Sequence, residues 1–303
     1  NMMYRTICAL ALIVMAPMAL AATAGPKSFA SPEAAITALV EAVKSNDQPM
    51  LNGILGSHGS KLTSSGDEVA DRQHREVFLK AYGEAHKLVL EDDTHATLVI
   101  GKDEWPMPIP IVKSDGSWRF DTQKGEKEIL ARRIGRNELA AIQVCLAIVD
   151  AEREYAALDM DGDGIPEYAP KLVSATGKRD GLYWQTKEDE PLSPLGPLLA
   201  AAASEGYTRS GSRTLAPYHG YFYRILTRQE KDAPGGAYDY FVKGKMIGGF
   251  AVIAYPARYG ASGIMSFLVN HDGVVYEKDL GKDTVAIASK MTTFNPDASW
   301  RRP

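Results

Sequence analysis

A helical pattern opens the first folded segment of the chain. Ser31-Pro32-Glu33 supplies a cap residue, a proline at the first helical position and an acidic residue in the first turn. Between Ala35 and Val43, apolar side chains recur at the spacing of one helix face. This pattern predicts a helix here and two further helices, from Gln48 to Leu55 and from Asp71 to Tyr82.

A period of two replaces the helical period after these segments. Apolar and polar residues alternate between Leu88 and Phe120, and Asp115-Gly116 has the composition of a hairpin turn. Helices followed by an antiparallel meander predict a small α+β unit, to which we assign residues 25–124.

The longest helical pattern runs from Gly125 to Leu158. Cys145 lies beside its apolar stripe, which predicts a small core residue. Gly135 is a candidate break between two helices, because glycine in a helix interior costs about 1 kcal/mol relative to alanine. The position of the stretch suits a bridge between two domains.

Strand patterns dominate the remainder of the chain. Alternation from Tyr221 to Leu226 and an apolar run from Met246 to Tyr255 predict two strands. Two more strands flank Asn270-His271-Asp272-Gly273, which predicts a hairpin, and a last short helix is expected from Ala286 to Met291. The fold class is therefore α+β, with a long helix and an antiparallel β domain over residues 125–303.

Charge narrows the classes of partner. The formal net charge is −4 and the basic residues form no long run, so we expect no nucleic-acid partner. Arg132, Arg133 and Arg136 are the densest basic cluster, and on a helix they are predicted to form a solvated face.

The first 24 residues have the pattern of a cleavable signal peptide. Arg5 precedes an apolar run from Ile7 to Leu20, and Ala22-Thr23-Ala24 supplies the small residues of a cleavage site. No later run approaches the roughly 20 apolar residues of a membrane span. We therefore expect a periplasmic or secreted protein without a membrane span.

An acidic segment after the long helix carries the sharpest chemical pattern. Asp159, Asp161 and Asp163 alternate with other residues, and Glu167 follows four positions after the third aspartate. Carboxylates at this spacing, with glycines that allow a turn, can wrap oxygen ligands around calcium. The EF-hand pattern would need a glutamate where Pro170 stands, so a shortened calcium loop and an ordinary turn both remain open.

Other reactive residues do not form a recognisable catalytic or cofactor-binding pattern. Gly260-Ala261-Ser262-Gly263 has its second glycine one position too early for a nucleophile elbow. His219 is expected to be a structural histidine in an aromatic strand. His74, His86 and His95 are expected at the surface or at strand edges.

Five strings of residues resemble a bacterial family of secreted proteins known only as domain of unknown function (DUF) 2950. The resemblance implies secretion and a two-part layout, and it implies no reaction. The strings are Arg133-Ile134-Gly135-Arg136-Asn137-Glu138-Leu139, Arg179-Asp180-Gly181-Leu182-Tyr183-Trp184, Ser193-Pro194-Leu195-Gly196-Pro197, Pro217-Tyr218-His219-Gly220-Tyr221 and Tyr255-Pro256-Ala257-Arg258-Tyr259-Gly260.

Two further resemblances concern shape. The order of elements from Ser31 to Asp121 resembles the cone of the nuclear-transport-factor-2-like (NTF2-like) fold. A helix that ends at Glu154-Tyr155 and a sheet with the Asp272-Gly273 hairpin are similar to the globular part of pilins and pseudopilins. Pilins keep an apolar N-terminal helix after a short basic leader, whereas this chain begins with a signal-peptide pattern and a whole domain. We therefore expect a monomer or small oligomer and no pilus.

Two functions follow from these observations. The preferred interpretation is an exported, non-catalytic cell-envelope protein that binds another envelope protein or a peptide. The alternative is a periplasmic hydrolase that acts on cell-wall or polysaccharide substrates, with acidic residues and histidine around the aromatic strand.

Overall fold

The structure is a computed structural model that describes residues 25–207 and 216–303. Helices and two larger antiparallel sheets give the α+β class that the patterns predict. The predicted signal peptide, residues 1–24, lies outside the described residues. No helix in the described ranges combines the length and the apolar character that crossing a membrane requires.

Four helices open the N-terminal unit: α1 (Pro32–Ser45), α2 (Gln48–Leu55), α3 (Gly59–Thr63) and α4 (Glu68–Glu84). The start of α1 is as predicted, because Ser31 Oγ accepts a hydrogen bond from the Ala34 N–H at 3.2 Å. The start of α4 lies before Asp71, because Asp67 Oδ1 caps the helix by accepting from the Ala70 N–H at 3.0 Å. Helix α3 has no counterpart in the sequence prediction.

A five-stranded antiparallel sheet completes this unit. Its order is β1-β2-β4-β5, with β3 beside β2 on the side away from β1. The predicted turn is confirmed at Asp115 and Gly116, whose φ values are 52° and 78°. The strands are β1 (His86–Leu90), β2 (His95–Ile100), β3 (Trp105–Pro106), β4 (Ile111–Ser114) and β5 (Ser117–Phe120). The fully buried residues of this core include Ala35, Ile54, Ala96, Ile111 and Phe120.

Helix α5 (Thr122–Ala157) is a single helix of 36 residues. The expected break at Gly135 is therefore wrong. Side-chain hydrogen bonds from Arg133 and Asn137, two residues before and two residues after the glycine, hold the helix in place. The predicted boundary between residues 124 and 125 falls inside α5 and stays a prediction. Because Ile129 packs on the first core and Ala141 belongs to the second, α5 is shared by both.

The C-terminal unit is built on a four-stranded antiparallel sheet of order β13-β12-β11-β6, against which α5 packs. The predicted hairpin at residues 270–273 is confirmed, since β12 and β13 pair on either side of it. The last helix begins two residues and ends three residues earlier than predicted. The elements are α6 (Gly196–Ser204), β6 (Tyr221–Leu226), β7 (Arg228–Gln229), β8 (Tyr238–Asp239), β9 (Phe241–Val242), β10 (Lys245–Met246), β11 (Ala251–Pro256), β12 (Met265–Asn270), β13 (Val275–Asp279) and α7 (Thr284–Ala288).

Two titratable side chains of α5 are buried in the second core. Cys145 is fully buried, as predicted, and burial raises the pKa of its thiol to about 12. Glu152 is also fully buried, and its Oε2 accepts from the Ala169 N–H at 2.8 Å. Its Oε1 has no hydrogen-bond partner within the described ranges. Burial therefore raises the pKa of Glu152 well above its usual value.

We expect Glu152 to make stability depend on pH. Its pKa is raised in the folded state, so its contribution is complete below the ordinary value of 4.5 and is lost as the pH rises toward the folded-state pKa. Glu152→Gln should remove this dependence. The variant should lie within about 1 kcal/mol of the wild type at acidic pH and be the more stable protein at neutral pH. Urea unfolding across the pH range measures both.

The exposed neighbour Glu154 supplies the matched control. Glu154→Gln should leave the pH dependence of the unfolding free energy unchanged. Parallel pH profiles for wild type and Glu152→Gln would contradict the assignment.

Candidate functional site

The acidic segment after α5 forms a closed loop. Asp159 and Gly164 adopt positive φ angles of 43° and 78°. Asp159 Oδ2 accepts from the Gly164 N–H at 3.0 Å, and Asp163 Oδ1 accepts from the Ile165 N–H at 2.8 Å. One carboxylate oxygen from each of Asp159, Asp161 and Asp163 lies within 4.8 Å of the others. These three residues form a cluster that could hold a metal ion.

A lysine from a distant hairpin contacts this acidic loop. Lys245 Nζ donates to Asp161 Oδ2 and to Asp163 Oδ2. The hydrogen bond from Lys245 holds the pKa of Asp163 below its usual range, and the same contacts raise the pKa of Lys245. The sequence gives no signal for this contact, because 82 residues separate Lys245 from Asp163. Lys171, which lies nearer in sequence, pairs with Asp180 at 2.6 Å instead.

The carboxylate oxygens of the acidic loop supply some of the ligands that a hard divalent cation requires. Calcium takes six to eight oxygen ligands. Asp159 Oδ1 is buried and has no hydrogen-bond partner in residues 25–207 and 216–303, so it is available as a ligand. Glu167, the fourth predicted ligand, is not part of the cluster. An ion would have to displace the Lys245 ammonium, which already offsets the repulsion among the aspartates.

A second polar centre lies where the two units meet, and two arginines build it. Arg133 donates through Nη1 and Nη2 to the carbonyl oxygens of Lys61 and Leu62, each at 2.7 Å. Arg258 Nη1 donates to two further carbonyl oxygens of the same segment, at 3.1 and 2.8 Å. These carbonyls belong to or flank the last turn of α3, where a helix leaves its acceptors unpaired. The predicted solvated face is therefore wrong for Arg133, which is 7% exposed.

Side chains of α5 continue this junction toward the C-terminal sheet. Asn137 Nδ2 donates to the Ser262 carbonyl oxygen at 2.8 Å. Glu138 Oε1 accepts from the N–H groups of Ile264 and Met265, both at 3.0 Å. The polar side chains of α5 thus fix the loop that leads into β12.

A buried aspartate closes the junction from the N-terminal side. Asp67, which is 1% exposed, accepts through Oδ2 from the Tyr207 hydroxyl at 2.9 Å and from the Gly220 N–H at 2.8 Å. Gly220 has a φ of 76°, and a Cβ there would lie 2.7 Å from Asn137 Nδ2. Only glycine fits at this position without displacing the neighbouring side chain.

The candidate nucleophile Ser262 and the candidate histidine His219 have different surroundings. Ser262 is fully buried, and its Oγ donates to the Arg258 carbonyl and accepts from the Arg258 N–H. Its hydroxyl thus stabilises a turn. The prediction that His219 lies in the aromatic strand is wrong, because His219 occupies the turn before β6 with a φ of 50°. Its Nε2 lies 3.6 Å from Glu205 Oε2. The ring of Tyr218 lies 4.1 Å from the imidazole, so His219 has partners, as expected of a structural histidine.

The remaining candidate histidines lie at the surface, as predicted. His74 and His86 are exposed, and His95 is half-buried at the start of β2. His86 stacks on Tyr82 with ring centres 3.9 Å apart.

Two shallow clefts lie on the N-terminal unit. One has a volume of about 270 Å³ and is lined by residues that include Met107, Pro108 and Lys124. The other, of about 70 Å³, lies beside β1. Neither cleft contains His219 or the acidic loop.

Comparisons with known proteins give one match. The model of a family described as "Protein of unknown function (DUF2950)" matches residues 26–302. No curated protein and no solved structure matches the chain significantly.

Removal of the Arg133 guanidinium should destabilise the protein. Arg133→Met removes the donors of two charge-assisted hydrogen bonds to the part-buried carbonyl oxygens of Lys61 and Leu62, so we expect the free energy of unfolding to fall by about 3 kcal/mol. Arg132→Met is the matched control, because the Arg132 side chain is 61% exposed and its ion pair is with Glu128 of the same helix. Its effect should stay within about 0.5 kcal/mol. Urea unfolding measures both, and equal effects would contradict the junction role of Arg133.

Proposed function

We propose that this chain, which belongs to the DUF2950 family of proteins of unknown function, is an exported, non-catalytic binding protein of the cell envelope. Its proposed partner is another envelope protein or a peptide, and its proposed location is the periplasm or the cell exterior. The apolar run from Ile7 to Leu20 and the small residues Ala22-Thr23-Ala24 support export. The binding role rests on one group of exposed apolar side chains in the C-terminal unit.

The hairpin surface consists of Tyr238, Phe241, Val242 and Ile247, each more than a third exposed. These residues lie on or beside β8, β9 and β10, within one short stretch of chain. Phe241 and Val242 are neighbours on β9, so their side chains point to opposite faces of the hairpin. Both faces therefore expose apolar area, which a partner can cover. The chemistry of the hairpin surface suits apolar side chains of a partner.

Buried side chains and hydrogen bonds of the same hairpin hold the hairpin surface in place. Met246 is 1% exposed, and its carbonyl oxygen accepts from the Tyr168 N–H at 2.8 Å. Tyr240 is fully buried and donates to Gln229 Oε1 at 2.9 Å. Lys245 ties β10 to the acidic loop. A surface that is ordered before binding loses little conformational entropy when a partner arrives.

One observation favours the alternative of a periplasmic hydrolase that acts on cell-wall or polysaccharide substrates. The His219 side chain is 34% exposed and lies 3.6 Å from the Glu205 carboxylate. A solvent-accessible imidazole beside a carboxylate is a chemically competent general base. The experiment below therefore includes an assay for hydrolysis.

We also propose that the two units have the NTF2-like and pilin-like folds that the sequence resembles. The packing of α1 and α2 on the sheet β1-β2-β4-β5 supports an NTF2-like cone over residues 25–124. The order of α5 and the sheet β13-β12-β11-β6 supports a pilin-like domain over residues 125–303.

We also propose that the ion of the acidic loop is calcium, bound by Asp159, Asp161 and Asp163. Three carboxylates in one small cluster, one with an unpaired buried oxygen, support this choice. Glu167 would join only if the loop moved, because it lies outside the cluster. The protein would then exchange the Lys245 ammonium for the ion.

Site-specific photo-crosslinking in the native envelope tests the binding role. A photoreactive amino acid at Val242 should form an adduct with a defined envelope protein or peptide. Phe241→Ser should reduce that adduct about fivefold or more, because a central aromatic residue commonly carries much of the binding energy. The matched control is the same photoreactive residue at Val77, an exposed valine of α4, which should form no such adduct.

The same preparation distinguishes the alternative. Release of soluble fragments from cell-wall or polysaccharide substrates by the wild type, lost in His219→Ala, would replace the binding proposal by the hydrolase. Equal crosslinking at Val242 and Val77 would remove the hairpin surface as the binding site.

Calcium should raise the melting temperature and a chelator should lower it. Binding to the native state alone stabilises it by about 2.7 kcal/mol when calcium is in hundredfold excess over its Kd. Asp163→Ala should abolish this response, because it removes a charged ligand. Lys245→Met should enlarge the response, because it removes the competing ammonium. A melting temperature that is independent of calcium in both wild type and Lys245→Met would show the loop to be an ordinary turn.

A further inference from the structure

One edge of the N-terminal sheet is open. Strand β1 pairs with β2 on one side only. The opposite edge of the sheet is covered, because Phe29 and Trp118 of β5 exchange two backbone hydrogen bonds at 2.8 Å. An open edge presents unpaired N–H and C=O groups that can pair with another strand.

The hydrogen bonds at the two ends of β1 show which of its residues direct their backbone N–H and C=O groups away from β2. Glu91 donates to the His95 carbonyl at 2.9 Å, and Gly101 donates to the Ala85 carbonyl at 2.8 Å. Odd-numbered residues therefore direct their backbone groups toward β2. Because backbone groups alternate along an antiparallel strand, His86, Leu88 and Leu90 direct theirs away from the sheet. No backbone hydrogen bond from other parts of the described ranges reaches these outward groups.

The charges along this segment are arranged for pairing with an antiparallel copy of itself. Lys87 lies near one end, and Glu91 and Asp92 follow the other end. When β1 pairs with β1 of a second copy, the outward backbone groups meet only if even-numbered residues lie opposite even-numbered residues. In the register centred on Val89, Lys87 faces Glu91 of the other copy and His86 faces Asp92.

We propose that a second copy of this chain adds to the sheet through β1, with a two-fold axis at Val89. Leu88 of each copy then lies opposite Leu90 of the other, and the two Val89 side chains meet at the axis. Leu90 is 61% exposed and Val89 is 38% exposed in the single chain, so both lose exposure on pairing. Opposite charges and apolar residues directly across from one another each stabilise an antiparallel pair.

The result is a symmetric dimer in which two five-stranded sheets become one continuous sheet. The β1 edge belongs to a different unit from the hairpin surface, so this inference is independent of the proposed binding function. The short length of β1, five residues, predicts a weak dimer that forms as the protein concentration rises.

Charge reversal tests the register. Lys87→Glu and Glu91→Lys, each alone, turn two attractive cross-strand pairs into repulsive ones and should weaken self-association about tenfold. An equal mixture of the two variants restores both pairs and should associate as well as the wild type. Sedimentation equilibrium of the folded chain over a wide concentration range measures all four samples.

Two further variants separate the edge from local effects. Lys87 also bonds to Glu104 at 2.6 Å, so Glu104→Gln is the control that removes this contact and should leave self-association unchanged. Leu90→Pro removes an outward N–H that β2 does not use, and it should abolish the dimer without unfolding the sheet. A wild type that stays monomeric at every concentration, or a mixture that fails to recover association, would overturn the proposal.

Discussion

A backbone carbonyl group that leaves water must find a hydrogen-bond donor, and at the junction of the two units the donors come from far along the chain. The last turn of α3 is satisfied by Arg133 of α5 and Arg258 after β11. Once these guanidinium groups are in place, the rotation of α5 about its axis is fixed. That rotation also directs Asn137 and Glu138 toward the loop before β12. The relative placement of the two units thus depends on carbonyl groups of one short helix.

Local features of the fold could be predicted because their causes are neighbours in sequence. Ser31 reaches the N–H of Ala34, and Asp115-Gly116 has the backbone freedom that its turn requires. The features that the sequence did not predict depend on residues that are far apart in the chain. Arg133 carries the same local signal as a solvated arginine, and only the approach of α3 buries it. The cluster of aspartates was visible in the sequence, whereas its partner Lys245 was not.

Three of the strings that carry the family resemblance meet at this junction. Arg133 and Asn137 come from one string, Gly220 from the second and Arg258 from the third. Each of these hydrogen bonds has a backbone group as one of its two partners, and a Cβ at Gly220 would come too close to Asn137. The resemblance therefore reports on how the two units are joined.

The length of α5 has a consequence for how such a protein can be inherited. Its 36 residues extend over about 54 Å, at about 1.5 Å per residue, and pass from one core to the other. A gene rearrangement at any point within this helix would give one product a truncated helix and the other an unsupported core. Neither unit can be recombined into another protein without part of the helix that completes its core. The coding sequences of the two units should therefore be inherited together and lost together.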